Sequence, residues 1–166
     1  MKKVVTIGGG TGHYSLLRGL KKYDVDLTAI VSVVDNGGST GELRTEFGIV
    51  APGDIRNCLV ALSNESEIKE VARLFEYRFK DSKTFGNHNL GNFMLTALND
   101  IHGNMADAVK AASKLLQIRG KVLPVSLENS HLYAKTNTGR KLNGEVEVSY
   151  PDTPNHSERI TEICLE

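Results

Sequence analysis

Four clusters of small, polar and charged residues carry the chemistry open to this sequence. Gly8-Gly9-Gly10-Thr11-Gly12 follows a short β-branched run and opens a helical pattern. In that setting unpaired backbone N–H groups and the positive end of a helix can hold a phosphate. The same glycines also suit a tight turn that simply packs helix on sheet. A GxGxxG dinucleotide fingerprint would need glycine where His13 stands, and no Gly-Lys-Ser/Thr follows for a Walker A loop. Asp35-Asn36-Gly37-Gly38-Ser39-Thr40-Gly41 follows a second apolar run. Asp35 can accept ribose hydroxyls or bind Mg²⁺ beside a phosphate, while Asn36, Ser39, Thr40 and the N–H groups of Gly37 and Gly38 can meet nucleotide or sugar oxygens. The competing reading is an Asx turn.

Pro52-Gly53-Asp54-Ile55-Arg56-Asn57 places a carboxylate, a guanidinium and an amide within one helical turn. Arg56 can grip a phosphate bidentately, and Asp54 either organises the loop, binds a cation or caps a helix starting near Ile55. In Gly86-Asn87-His88-Asn89-Leu90-Gly91-Asn92, His88 stands at the start of an amphipathic helix. There it polarises or protonates a ligand, or serves as a capping or pocket-wall histidine. His13 is a weaker candidate, and His102, His131 and His156 read as surface or structural residues. No Ser-His-Asp arrangement is evident, Cys58 lacks a basic setting, and Cys58 and Cys164 have no CxxC spacing. Both cysteines are expected to be buried free thiols.

These residues need a frame. Residues 3 to 7 and Leu27 to Val34 resemble buried strands of a parallel sheet, with a helix between them whose inner face carries Tyr14, Leu17 and Leu20. Both glycine clusters then fall at the carboxyl ends of neighbouring strands, where open α/β sheets bind their ligands. Three further helices are expected on the apolar faces Ile68–Val71–Ala72–Phe75–Phe79, Leu90–Phe93–Met94–Ala97–Leu98–Ile101 and Met105–Ala108–Val109–Ala112–Leu116. Beyond Gly120 the period shifts toward two. That predicts strands at Val122–Val125, Leu132–Ala134 and Val146–Val148, with turns at Asn137-Thr138-Gly139 and Asn143-Gly144.

Composition agrees with one α/β domain. The 166 residues carry 20 Lys+Arg against 20 Asp+Glu, which argues against a nucleic-acid partner or an acidic membrane surface. Apolar runs are far shorter than the roughly 18 residues a spanning helix needs, so a cytoplasmic protein is expected.

In order along the chain, Gly8 to Gly12, Asp35-Asn36-Gly37-Gly38-Ser39-Thr40-Gly41-Glu42-Leu43-Arg44, Pro52 to Asn57, His88-Asn89-Leu90-Gly91-Asn92 and Arg119-Gly120-Lys121-Val122-Leu123-Pro124 resemble the YvcK/CofD-like family, closer to its YvcK branch of gluconeogenesis factors. The resemblance implies a Rossmann-like fold. It also implies a cytoplasmic factor that binds a UDP-sugar such as UDP-N-acetylglucosamine and is linked to gluconeogenic growth, cell-wall precursor supply and cell shape. The CofD branch implies instead a transferase of a phospholactyl group onto a deazaflavin, with Mg²⁺ at Asp35 or Asp54. On either branch the expected pocket residues are Gly9, Gly10, Thr11, Gly12, Asp35, Asn36, Gly37, Gly38, Ser39, Asp54, Arg56, Asn57, His88 and Asn92, with His88 the candidate for chemistry.

Two departures stand out. Asn87 occupies a position where the family commonly has glycine, and the chain resembles only the N-terminal part of a family about twice as long. Part of the pocket is therefore expected to be missing. An apolar surface around Ile160, Ile163 and Leu165 or on the sheet is expected to drive self-association, unless that tail adds a terminal strand.

Overall fold

The computed structural model describes residues 1–64, 66–149 and 158–166; the expectation for His156 lies outside them. The elements in chain order are β1 (Lys2–Gly8), α1 (Gly10–Leu20), β2 (Val25–Val31), α2 (Gly38–Phe47), α3 (Pro52–Leu62), α4 (Lys69–Glu76), α5 (Leu90–His102), α6 (Met105–Leu115), β3 (Lys121–Pro124), β4 (Leu132–Thr136), β5 (Lys141–Asn143), α7 (Gly144–Ser149) and β6 (Ile160–Leu165). The first three strands form a parallel sheet in the order β1-β2-β3. Strands β5-β4-β6 make a small antiparallel sheet. This is the α/β architecture expected, with the first glycine cluster at the end of β1 and the second just after β2.

The side-chain period of two decides which face of the parallel sheet meets the helices. Val4 and Thr6 of β1 align with Leu27 and Ala29 of β2, and Ala29 aligns in turn with Val122 of β3. This face packs on Leu17 of α1, Ile55 and Leu59 of α3, Leu95 of α5, and Ala108 and Ala112 of α6. The other face carries Val5, Ile7, Leu123 and, just past β3, Val125, all exposed. The three helical faces expected between residues 68 and 116 form α4, α5 and α6 with Ala72, Phe75, Leu95 and Val109 buried, although Phe79 lies beyond the end of α4.

Helices α5 and α6 start on side-chain caps. Asn89 Oδ1 accepts from the Asn92 N–H at 3.2 Å, and Asn104 Oδ1 accepts from the Asp107 N–H at 2.9 Å. Helix α3 starts with Pro52, whose missing N–H is no loss in the first turn. Asp54 is thus not the cap expected from the sequence. It lies inside the first turn, and the N-cap is Ala51.

Other expectations are corrected. The second strand runs Val25–Val31 rather than Leu27 to Val34. The segment from Gly38 is helix α2, not loop; its buried residues are Thr40, Gly41, Leu43 and Arg44, so no apolar stripe advertised it. Val146–Val148 is not a strand. The Asn143 N–H donates to Glu147 Oε2 at 2.8 Å and the Val146 N–H to Asn36 Oδ1 at 3.1 Å, and these bonds close the first turn of α7. The short strand β5, unforeseen, precedes it. Cys58 is buried as expected, but Cys164 is exposed on β6. The tail does add a terminal strand, paired with β4, yet Ile160, Ile163 and Leu165 stay exposed.

Candidate functional site

Four helices of ten or more residues point their N-termini at the carboxyl edge of β1 and β2. Their mutual contacts are close enough to require glycine. A Cβ on Gly9 would lie 2.3 Å from Asp54 Oδ2, so the start of α3 presses on the loop before α1. A Cβ on Gly53 would lie 2.6 Å from Thr40 Oγ1 and 3.5 Å from Asp35 Oδ2, which joins α3 to α2. At Gly91 a Cβ would meet the Phe75 carbonyl oxygen at 2.3 Å and Arg56 Cδ at 2.9 Å, which sets α5 against α3. Each N-terminus contributes orphan N–H donors and a partial positive charge. Helix starts brought this close together favour negative charge near them.

The expected site residues divide by what they do here. Gly9, Asp35, Asp54, Arg56 and Asn92 come together at this edge. Nothing lies within 4 Å of a Cβ built on Gly10 or Gly12, so the first turn of α1, which also carries Thr11, has open space beside it. Gly10 takes φ +66° and Gly38 φ +45°, left-handed conformations that favour glycine. Gly38 and Ser39 open α2, and the Gly37 N–H donates to Asp35 Oδ1 at 2.8 Å, the Asx turn raised as the competing reading. Asn36 turns away: its Oδ1 holds α7, as above. Asn57 Oδ1 accepts from Arg56 Nη2 at 2.6 Å and steadies the guanidinium. His88 Nε2 lies 2.8 Å from Glu42 Oε2, and its ring stacks at a tilt 5.2 Å from Phe93. Asn87 adopts φ +67°, so the backbone conformation natural to glycine is kept by a residue that tolerates it. His13, deep in the interior, bonds Thr6 Oγ1 at 2.8 Å and lies 3.6 Å from Cys58 Sγ, pinning α1 to β1 and α3.

Three buried polar atoms here have no partner: His88 Nδ1, Asn89 Nδ2 and Asn92 Oδ1. An unpaired buried polar atom costs about 1–3 kcal/mol. All three lie at or just before the start of α5. Burial raises the Asp35 carboxyl above its usual range; the Gly37 N–H opposes this, and the like charges of Asp54 and Glu145 add to it. Burial pulls the Arg56 guanidinium down to about 10, and Arg78 pulls the same way. Burial, with the Asp54 charge, pushes the Cys58 thiol up to about 12, which leaves it protonated and no nucleophile.

The Asp35 shift has a consequence for stability. Its folded value lies above the unfolded one, so the stabilisation it gives is full below the ordinary value of 3.8 and is lost as pH rises through the folded value. Asn at position 35 keeps an acceptor for the Gly37 N–H without the charge. Asp35→Asn is therefore expected to raise the thermal midpoint at pH 7, on the order of 2 °C after discounting for a half-exposed group. The gain should vanish near pH 3. Melting curves at both values test this, and an unchanged or lower midpoint at pH 7 would refute it.

Asp35 and Asp54 suit a divalent cation only together with substrate oxygens. Among the described residues no group of three or more His, Cys, Asp or Glu side chains could hold a metal ion, and Mg²⁺ commonly relies on one or two carboxylates plus phosphates.

Sequence reasoning passed over Glu42 and Asn89 as pocket residues, and Arg78 altogether. Asn89 had a legible signal, an N-cap residue before an apolar run. Arg78 had none: it is brought in by pairing with Asn89 across an isolated antiparallel bridge.

Among the described residues no helix is long and apolar enough to cross a membrane. Residues 4–166 match the family model described as 2-phospho-L-lactate transferase CofD. A Nostoc protein is 50% identical over 146 residues, 88% of this chain and 32% of its own length. The gluconeogenesis factor of Bacillus subtilis is 44% identical over 163 residues, 98% of this chain and 49% of its own. A crystal structure of a Bacillus halodurans protein superposes with a TM-score of 0.88 at 41% identity, covering 99% of this chain and 51% of that one. The chain thus spans half the length, or less, of these relatives. Its ordered glycine clusters, α/β fold and end-to-end match agree: this chain belongs to the CofD family, on the side of the gluconeogenesis factors.

Proposed function

We propose that this chain forms the phosphate-gripping half of a cytoplasmic regulatory factor that binds a nucleotide-sugar, UDP-N-acetylglucosamine being the first ligand to try. The observation that carries this reading is the convergence of four helix N-termini on a cluster of unpartnered buried polar atoms. An anionic diphosphate fills such a site, and Asp35 stands at the adjoining strand end where a ribose can donate to it. A role in gluconeogenic growth follows the naming of the relatives as gluconeogenesis factors; we extend it to regulation of cell-wall precursor supply and cell shape. A regulatory role suits a site whose cysteine is protonated and whose histidine is held by Glu42. Calorimetry with UDP-N-acetylglucosamine tests it. Saturable binding is expected, weakened about 10–100-fold by Arg56→Ala, the range for losing charge-assisted hydrogen bonds. Asp35→Ala should weaken it as well. Binding indifferent to both substitutions would reject this pocket.

The second reading is a CofD-type transferase that moves a phospholactyl group from a nucleotide-linked donor to a deazaflavin. The closeness of Asp35 to Asp54 favours it, since the Asp54 charge adds to the burial that raises the Asp35 carboxyl, and a carboxylate pair of this kind suits a Mg²⁺ shared with donor phosphates. Bound there, Mg²⁺ would neutralise charge on the donor phosphates. His88, fixed by Glu42, would orient the acceptor. Mass spectrometry of a reaction with both substrates distinguishes the readings: Mg²⁺-dependent product supports transfer, and its absence supports the regulator.

A further inference from the structure

We infer that the 260 Å³ cavity between the first turns of α1, the middle of α3 and the N-cap of α5 takes a phosphate or diphosphate group, with Arg56 and Arg78 as its paired cations. The inference rests on the nucleotide-sugar reading and locates the diphosphate within it. Whole small-molecule ligands occupy about 300–1,000 Å³, so a cavity of this volume suits the anionic link of a longer molecule rather than the whole of it.

The cavity is built by backbone pairing. The Leu90 N–H donates to the Tyr77 carbonyl and the Phe79 N–H to the His88 carbonyl, at 2.8 and 2.9 Å, so Tyr77 to Phe79 run antiparallel beside His88 to Leu90. Arg78 stands directly opposite Asn89. Opposed residues in an antiparallel pair project to one face, and both line the cavity. Arg78 Nη1 donates to the Asn87 carbonyl, which leaves most of its five N–H groups for a ligand. Arg56 approaches from α3, anchored by Asn57. Thr11 closes the third side from the first turn of α1, where backbone N–H groups have no intrahelical acceptor.

The lining is matched to an acceptor that carries negative charge. Two guanidiniums face one carboxylate, that of Glu76, which receives the Tyr14 hydroxyl at 3.5 Å, so the cavity keeps a net positive charge. Asn89 is 1% exposed and its Nδ2 has no partner among the described residues, an unpaired N–H donor on a residue of the cavity wall. The depressed proton affinity of Arg56 fits the same picture, since Arg78 is the largest charge acting against it. A phosphate satisfies both arginines and the amide at once, because ionised phosphate oxygens only accept.

Calorimetry of the 166-residue chain with inorganic pyrophosphate, and separately with UDP-N-acetylglucosamine, tests the assignment in wild type, Arg78→Gln and Asn89→Asp. Aspartate caps a helix as well as asparagine does, so Asn89→Asp keeps α5 started while replacing the waiting donor with a negative charge. Pyrophosphate is expected to bind wild type and to weaken about 10–100-fold in each variant, with affinity falling as salt rises. No pyrophosphate binding by wild type, or equal affinity in wild type and a folded Asn89→Asp, overturns the subsite. UDP-N-acetylglucosamine binding untouched by Arg78→Gln would likewise reject the subsite while leaving the nucleotide-sugar reading intact. Pyrophosphate binding that depends on Arg78, with the UDP-sugar binding no tighter, would uphold the subsite and reject that reading.

Discussion

Replacing Arg44 with methionine is expected to lower the thermal midpoint by about 6–12 °C. Arg44 is 2% exposed, one of the largest fully buried side chains. Its Nε donates to Asn129 Oδ1 at 2.5 Å, its Nη1 to the Val34 carbonyl at 3.2 Å, and its Nη2 to the Ser130 carbonyl. One guanidinium thereby ties α2 both to the segment just past β2 and to the segment that leads into β4. Methionine preserves much of the apolar stem but leaves those acceptors without their donors. Hydrogen bonds to charged groups are worth about 1.5–3 kcal/mol, so a loss of about 3 kcal/mol is a restrained figure, and each kcal/mol moves the midpoint of a domain this size by about 2–4 °C. The loss should be local first. Limited proteolysis is expected to cut near residues 125–131 faster in Arg44→Met, because the tether to that segment is gone. A variant that melts with wild type and resists protease equally would show that Arg44 is not the clasp.

Arg44 also shows where reading the sequence stopped. Strand β1 and helix α1 were legible because a β-branched run ends abruptly at glycine and a helical stripe of Tyr14, Leu17 and Leu20 follows. Helices α4 to α6 were legible for the same reason, a sustained apolar period. Helix α2 was not, since half of its inward face is Thr40 and a charged arginine, and burial of a charge depends on acceptors more than eighty residues away. Val146 to Val148 misled in the opposite direction: their alternation with glutamates suits a strand, but Asn36 reaches across from the β2 edge to start a helix. In the site, the clusters around Gly9, Asp35, Asp54, Arg56 and Asn92 were visible as local patterns at strand ends. Arg78 belongs to the same pocket only through its antiparallel pairing with Asn89, and no local pattern encodes that.

The 166-residue chain is expected to self-associate through the uncovered face of its parallel sheet, with a second copy as the occupant. Parallel sheets are ordinarily covered on both faces, and here only the face of Leu27, Ala29 and Val31 is packed. On the other face Val5 is 60% exposed, Ile7 76%, Leu123 47% and Val125 57%, spread across β1 and β3. Beyond it, β1 pairs only with β2 among the described residues, leaving an open strand edge beside that apolar face. In a purified sample of this chain the one apolar surface of matching shape and unlimited supply is another copy of itself. Two such faces laid together remove β-branched and leucine side chains from water on both sides, at about 25 cal/mol per Å². Light scattering over a concentration series should show the mass rising from 18.1 kDa toward twice that value. Ile7→Glu places a charge on the most exposed of these residues, at a site so exposed that the fold itself should change by no more than about 0.5 kcal/mol. The variant is therefore expected to stay monomeric and to melt near the dilute wild type. A wild type that remains monomeric at the highest concentrations would refute the association. An Ile7→Glu variant that associates as strongly would move the contact to the exposed strand β6, where Ile163→Glu is the corresponding substitution.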